Sequence, residues 1–211
     1  MMIKEPKKRI TSTLVKNNNI PEALIYEVMD GQPLYYKGYK DVLNKKKSLD
    51  DIMGSSTLQS FIINYLLRFI FKNLNEKKYL SLTNELGLHV GKKTNFSGDI
   101  NIFDRLILTS EKINKNYSDV PPLIVCEVDS KIDISNNKDL DYVNIKTQKL
   151  LNFGVEKVIW IFSESQKVMI AQKDTDWLTK DWNQDIELLD GHLFNIGKYL
   201  EDEGVKVETN F

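Results

Sequence analysis

The sequence predicts an α/β (α+β) fold with a mixed central β-sheet flanked by helices. Three observations carry this. Between Pro121 and Phe162 an apolar run (Leu123-Ile124-Val125-Cys126), a helix-period stretch ending at Gly154 and a second apolar run (Val158-Ile159-Trp160-Ile161-Phe162) read as strand, helix, strand. Such a unit implies a right-handed crossover and a parallel pair, with the first strand buried on both faces. Strand-like segments at Tyr79–Val90 and Gly98–Phe103 lead into Leu123 through short connections, as in an antiparallel meander. Before them Leu58, Phe61, Ile62, Tyr65, Leu66, Phe69 and Ile70 recur at helical spacing. The core order is therefore helix, three strands, helix, strand, with helices on both faces of the sheet.

The remaining elements follow in order. Residues 1–20 are polar, rich in Lys and Asn, and read as a flexible arm. Residues 21–211 read as one domain. Leu24–Met29 and Leu34–Tyr36 alternate around Asp30-Gly31 and predict an N-terminal hairpin. Lys37 to Lys47 is a basic connection, and Lys45-Lys46-Lys47 reads as a solvated face. Ser48-Leu49-Asp50-Asp51 is a helix start, Gly54 interrupts, and Ser55-Ser56 can cap the longer helix. Gln59, near that helix start, is assigned to the surface. Ser110 to Asp119 is a polar loop. Asp139 to Phe153 is a helix with Leu140, Val143, Leu150 and Phe153 on its apolar stripe and Gly154 as its stop. Val158–Phe162 and Lys167–Ala171 form a hairpin around Glu164-Ser165-Gln166. Trp177 and Trp182 anchor onto the core, Ile186–Leu189 is extended, and Phe194–Leu200 is a short helix.

Composition excludes several classes. Hydrophobic residues make up 41% of the 211, enough for a sizeable core. The formal net charge is −1. A protein that grips duplex nucleic acid with a general basic surface is usually more positive, so any such contact must be local or weak. Cys126 is the sole cysteine, which rules out an internal disulfide, and its apolar setting makes it a small buried hydrophobe. No stretch has the apolar length of a membrane span, and no signal-peptide core follows the basic N-terminus. A cytoplasmic setting is expected.

Ionisable residues fall where burial is expected. Glu85 lies on one strand, Asp99 begins the next, and Glu127 lies on the central strand with Asp129 two positions on. Lys146 sits on the apolar stripe of the crossover helix. Carboxylates on neighbouring strands make a hard oxygen site of the kind that suits Mg²⁺ or Mn²⁺. Such a metal neutralises charge on a scissile phosphate and lowers the pKa of a bound water. A nearby lysine can orient that water or steady developing charge. The bland alternative is acids at strand ends facing solvent, with Lys146 snorkelling to the helix boundary.

Four segments carry a resemblance. Gly98-Asp99-Ile100, Pro122-Leu123-Ile124-Val125-Cys126-Glu127-Val128, Leu150-Leu151-Asn152-Phe153-Gly154-Val155 and Val158–Phe162 resemble the Uma-type family of bacterial restriction-endonuclease-like proteins. That family is similar to the PD-(D/E)XK nuclease superfamily. Tyr26-Glu27-Val28-Met29-Asp30-Gly31 resembles the family's opening hairpin, and the likeness spans roughly Pro21 to Gln172. The resemblance implies a restriction-endonuclease-like αβββαβ core and metal-dependent cleavage of DNA. It implies Asp99 and Glu127 as catalytic metal ligands, the Val128 carbonyl facing the metal, and Glu85 as an acid of the preceding strand that also approaches it. The superfamily lysine would fall at Asp129. In the family it has moved onto the following helix, where Lys146 matches it, and Lys131 is a second candidate.

The expectation is a Mg²⁺- or Mn²⁺-dependent endonuclease acting on DNA, with a homodimer as the expected assembly. The rival is a catalytically inactive module of the same fold that binds nucleic acid or a protein partner. Asp129 and the near-neutral charge favour the rival.

Overall fold

The computed structural model describes residues 20–129 and 139–207. Ile25–Met29 (β1) and Gln32–Tyr35 (β2) form the N-terminal hairpin. Its turn places both Asp30 (φ 53°) and Gly31 (φ 77°) in the left-handed region, as a two-residue hairpin turn requires. The basic connection contains a short helix, Tyr39–Leu43 (α1), followed by Asp50–Met53 (α2). Thr57–Asn73 (α3) starts at Ser56, whose side chain accepts the Gln59 amide at 3.0 Å.

Tyr79–Gly91 (β3) and Thr94–Asp104 (β4) pair antiparallel along their whole length. The second of these strands begins four residues earlier than the Gly98–Phe103 segment suggested, so Asp99 lies in its middle rather than at its start. Ile124–Val128 (β5) pairs antiparallel with β4. Asp139–Phe153 (α4) then crosses over to Lys157–Phe162 (β6), which is parallel to β5. Gly154 (φ 119°) ends that helix in a conformation that disfavours other residues. Lys167–Gln172 (β7) and Leu178–Asp181 (β8) extend the sheet antiparallel. Ile186–Leu189 (β9) and His192–Phe194 (β10) form a separate two-stranded ribbon, and Ile196–Asp202 (α5) follows.

The sheet runs β2-β1-β4-β5-β6-β7-β8, with β3 on β4. Its two faces bury different helices. On one, Ile62, Leu66 and Ile70 of α3 pack against Ile100, Ile102, Ile124, Cys126 and Val128. On the other, Val143, Leu150 and Leu151 of α4 pack against Val125, Val158 and Trp160. Both faces of β5 are thus covered, which is why its sequence is an uninterrupted apolar run. The architecture is the mixed α+β sheet flanked by helices that the sequence predicts. Among the described residues no helix is long and apolar enough to cross a membrane. The expected N-terminal arm, all but its last residue, lies outside the described residues, as does Lys131.

One consequence of topology positions the site. β3 occupies one edge of β4 from end to end, so β1 and β5 share the other edge. β1 meets β4 at Asn95, and β5 meets it at Ile100–Ile102. Between them lies a gap at Ser97–Asp99.

Candidate functional site

The backbone of Ser97 points its N–H and C=O into that gap. Buried peptide groups need partners, and here side chains supply them. Glu27 Oε1 accepts the Ser97 N–H at 3.0 Å, and Lys146 Nζ donates to the Ser97 carbonyl at 2.9 Å. The gap is therefore filled by an acid from β1 and a lysine from α4.

Lys146 is completely buried. Its ammonium contacts Glu27 Oε1 at 2.8 Å and Glu127 Oε1 at 2.8 Å, besides the Ser97 carbonyl. Two of these contacts, to Glu27 and Ser97, are hydrogen bonds, and the third is an ion pair. The rings of Trp160, Phe96 and Tyr142 stand 5.5, 5.6 and 5.8 Å from the same nitrogen and add a cation–π surround. Burial works against the charge, but Glu127 and then Glu27 hold the amine protonated well above the ordinary lysine range. The stripe position that the sequence marks as costly is paid for by two carboxylates.

Glu127 is the strained partner. Burial pushes its carboxyl up to about 8, against the opposing pull of Lys146 and with Asp99 and Glu27 adding to the rise. Its Oε1 lies at ion-pair distance from Lys146 but off the direction of a hydrogen bond, and no other donor among the described residues reaches it. Glu27 is better satisfied, because the Tyr142 hydroxyl donates to its Oε2 at 2.7 Å and Ser97 Oγ to its Oε1 at 3.3 Å.

Asp99 lies on the same face of the sheet, one strand from Glu127. Its Oδ2 accepts the Val128 N–H at 2.8 Å. The Val128 carbonyl in turn accepts Gln59 Nε2 at 2.7 Å. Gln59 is buried, not on the surface as its place near a helix start suggested. Capping by Ser56 sets the first turn of α3 so that this side chain points at the end of β5. The Val128 peptide is clamped from both sides of the sheet, by β4 and by α3.

The structure brings together Asp99, Glu127, Val128 and Lys146. Glu85 is not part of this buried group. It follows Asn84 in a β-bulge where both residues take positive φ (71° and 53°), and the bulge turns it outward, exposed, onto a pocket of about 180 Å³ that Glu27 also lines. Asp129 does not add a fourth acid. At φ 58° it turns toward the end of β6, where its carboxylate accepts the Ser163 N–H at 2.7 Å and the Ser163 hydroxyl at 2.6 Å. Glu27 and Tyr142 are site residues that the pattern reading passed over. The available signals were Met29, an apolar neighbour two positions from Glu27, and the helical adjacency of Tyr142 to Val143 and Lys146.

Among the described residues no group of three or more His, Cys, Asp or Glu side chains gathers to hold a metal. The oxygens present still suit a small hard cation. Mg²⁺ takes one or two carboxylates and completes its shell with water and substrate oxygens. Asp99, Glu127 with its undonated Oε1, and the second lone pair of the Val128 carbonyl make a donor set of that kind.

No protein-family model and no curated protein matches the chain in sequence. Its structure is similar to a crystal structure described as a putative nuclease belonging to DUF820 from Anabaena variabilis, with a TM-score of 0.62 and 13% identity. The likeness covers 83% of this chain and 89% of that one. At this identity what the two proteins share is the fold: a mixed sheet with helices on both faces, over nearly the full length of each.

Proposed function

We propose that this protein is a Mg²⁺- or Mn²⁺-dependent endonuclease that hydrolyses DNA phosphodiester bonds, and that it belongs with the Uma-type, PD-(D/E)XK-like nucleases. The observation that carries this is the buried assembly of Asp99 and Glu127 on adjacent strands with Lys146 locked against Glu127. The fold shared with a DUF820 protein described as a nuclease supports it.

Asp99, Glu127 and the Val128 carbonyl would hold the cation, which when bound supplies charge neutralisation at the scissile phosphate and a water of lowered pKa. The protein's own part is orientation. The Val128 N–H fixes the Asp99 carboxylate, and Gln59 fixes the carbonyl. Lys146 holds Glu127 in the gap by charge, and the ammonium hydrogen that Glu127 does not accept would be the one to hold a water beside the cation. Glu127 must first give up the proton that burial favours, so turnover rises as pH approaches about 8. Glu85, on the rim, assists only through water.

The test is cleavage of plasmid and single-stranded DNA with Mn²⁺, Mg²⁺ or EDTA, wild type beside Asp99→Ala. The expected outcome is metal-dependent cutting that the substitution abolishes while the folded spectrum persists. Undiminished cutting by Asp99→Ala overturns the assignment. The second reading, a non-catalytic module that binds nucleic acid or a protein partner, draws on Asp129, which occupies the place of the motif lysine and is committed to Ser163. DNA binding that neither needs metal nor leads to cutting would favour it.

A further inference from the structure

Tyr117 is a 58% exposed aromatic ring that the backbone holds in a fixed seat. Its loop is stitched to β3 by a parallel bridge between Leu88 and Ser118. His89 N donates to the Ser118 carbonyl at 2.8 Å, and Ser118 N donates to the Gly87 carbonyl at 2.9 Å. The ring lies over Gly87, where a Cβ would stand 2.6–2.7 Å from three ring carbons. Only glycine leaves room for that seat. A ring held this way keeps most of its hydrophobic surface in water, so its seat is not explained by core packing.

The ring stands between two pockets. One, of about 180 Å³, reaches inward to Glu27 and Ser97 of the buried network and carries Glu85 on its wall. The other, of about 340 Å³, is walled by His89, Asn114, Asn116 and Asp119. Tyr117 and Asn95 line both. No Lys or Arg is among these lining residues, so the cleft is not a seat for phosphate. It offers an aromatic face, amides, an imidazole and three carboxylates, of which Glu27 is already held by Lys146. That is the chemistry that takes a flat heterocycle: the base stacks on the aromatic face, and the carboxylates accept from its N–H groups, exocyclic amino or ring imino.

We infer that the Tyr117 cleft binds an unpaired nucleobase of the strand whose phosphodiester is presented to Asp99 and Glu127. This rests on the nuclease reading above and narrows its substrate class to single-stranded or locally opened DNA. Bases stacked inside a closed duplex cannot reach the ring.

The test is equilibrium binding by fluorescence anisotropy, with Mg²⁺ and again in EDTA. The probes are a short labelled oligodeoxycytidine, an oligodeoxythymidine and a hairpin duplex. The proteins are wild type, Tyr117→Ala and Tyr117→Phe. Wild type should bind both single strands more tightly than the duplex. Tyr117→Ala should weaken that binding about tenfold, as loss of one stacked base does, and Tyr117→Phe should restore it to within about twofold. Duplex binding should not change. Single-strand affinity that is equal in wild type and Tyr117→Ala overturns the inference and leaves the nuclease reading standing. Failure of wild type to bind any of the three probes overturns the DNA reading itself, and the inference with it.

Discussion

Lys146 sets the charge balance of the interior. Two buried carboxylates, Glu27 and Glu127, share its ammonium. Removing one member of a buried ion pair leaves the others desolvated and uncompensated, at a cost of about 3–5 kcal/mol. Lys146→Met is expected to destabilise by that amount in urea unfolding. Adding Glu27→Gln and Glu127→Gln to it should restore much of the loss, because no naked charge then remains. A triple variant as unstable as Lys146→Met alone would mean that packing, not charge, is what the lysine supplies. Glu127 gives a pH signature of its own. Burial raises its carboxyl from the ordinary carboxylate range to about 8, so the folded state holds the proton more tightly than the unfolded one. The contribution to stability is complete below the unfolded value and is lost as pH rises to about 8, by up to about 1.4 kcal/mol per pH unit. Unfolding free energies measured across that window should fall with pH in the wild type and flatten in Glu127→Gln.

At the scale of elements, α3 does more than cover the sheet. Its N-terminus carries Gln59 to the end of β5, and Ser56 fixes where that helix begins. Ser56→Ala removes a helix cap and should cost about 1 kcal/mol. Gln59→Leu leaves the Val128 carbonyl without its buried donor and should cost about 1–3 kcal/mol. The two differ in what they do to cleavage. The cap substitution should lower stability with kcat nearly intact, whereas Gln59→Leu should lower kcat as well, because the Val128 peptide loses one side of its clamp. Equal kcat losses would show that the helix start, not the amide, sets the site. These elements also show what a sequence pattern can and cannot carry. α4 was legible to the residue at both ends, since its apolar period, the buried run after it and Gly154 all agree. β5 and the β6–β7 hairpin were legible for the same reason. Gln59 was not, because periodicity reports which face is apolar and says nothing of a polar side chain that finds a carbonyl 69 positions away. Asp99 was misplaced within its strand because Thr94–Ser97 lacks a strong apolar alternation, and it is pairing with β3 that makes it a strand. Glu27 drew attention only as part of a hairpin motif, since its burial depends on the gap between β1 and β5, a feature of topology.

For the whole molecule, that gap is the point where three separate parts of the chain meet. The N-terminal hairpin brings Glu27, the meander brings Asp99 and Glu127, and the crossover helix brings Lys146. A cation held there by Asp99, Glu127 and the Val128 carbonyl would tie β4 to β5, and it would bind the folded state and not the unfolded one. Binding to the folded state alone adds about 2.7 kcal/mol at a concentration one hundredfold above the dissociation constant. Mn²⁺ or Mg²⁺ is expected to raise the melting temperature of the wild type, and EDTA to reverse the rise. Asp99→Asn and Glu127→Gln should each abolish it, because each removes one of the two carboxylates in the donor set. Glu85→Gln should keep most of it, since Glu85 is exposed on its bulge while Asp99 and Glu127 are buried. Proton and cation compete for Glu127, so the wild-type shift should grow as pH rises toward 8 and level off above it. A shift that survives Asp99→Asn, or that ignores pH, would place the cation elsewhere on the protein and remove the metal from the proposed chemistry.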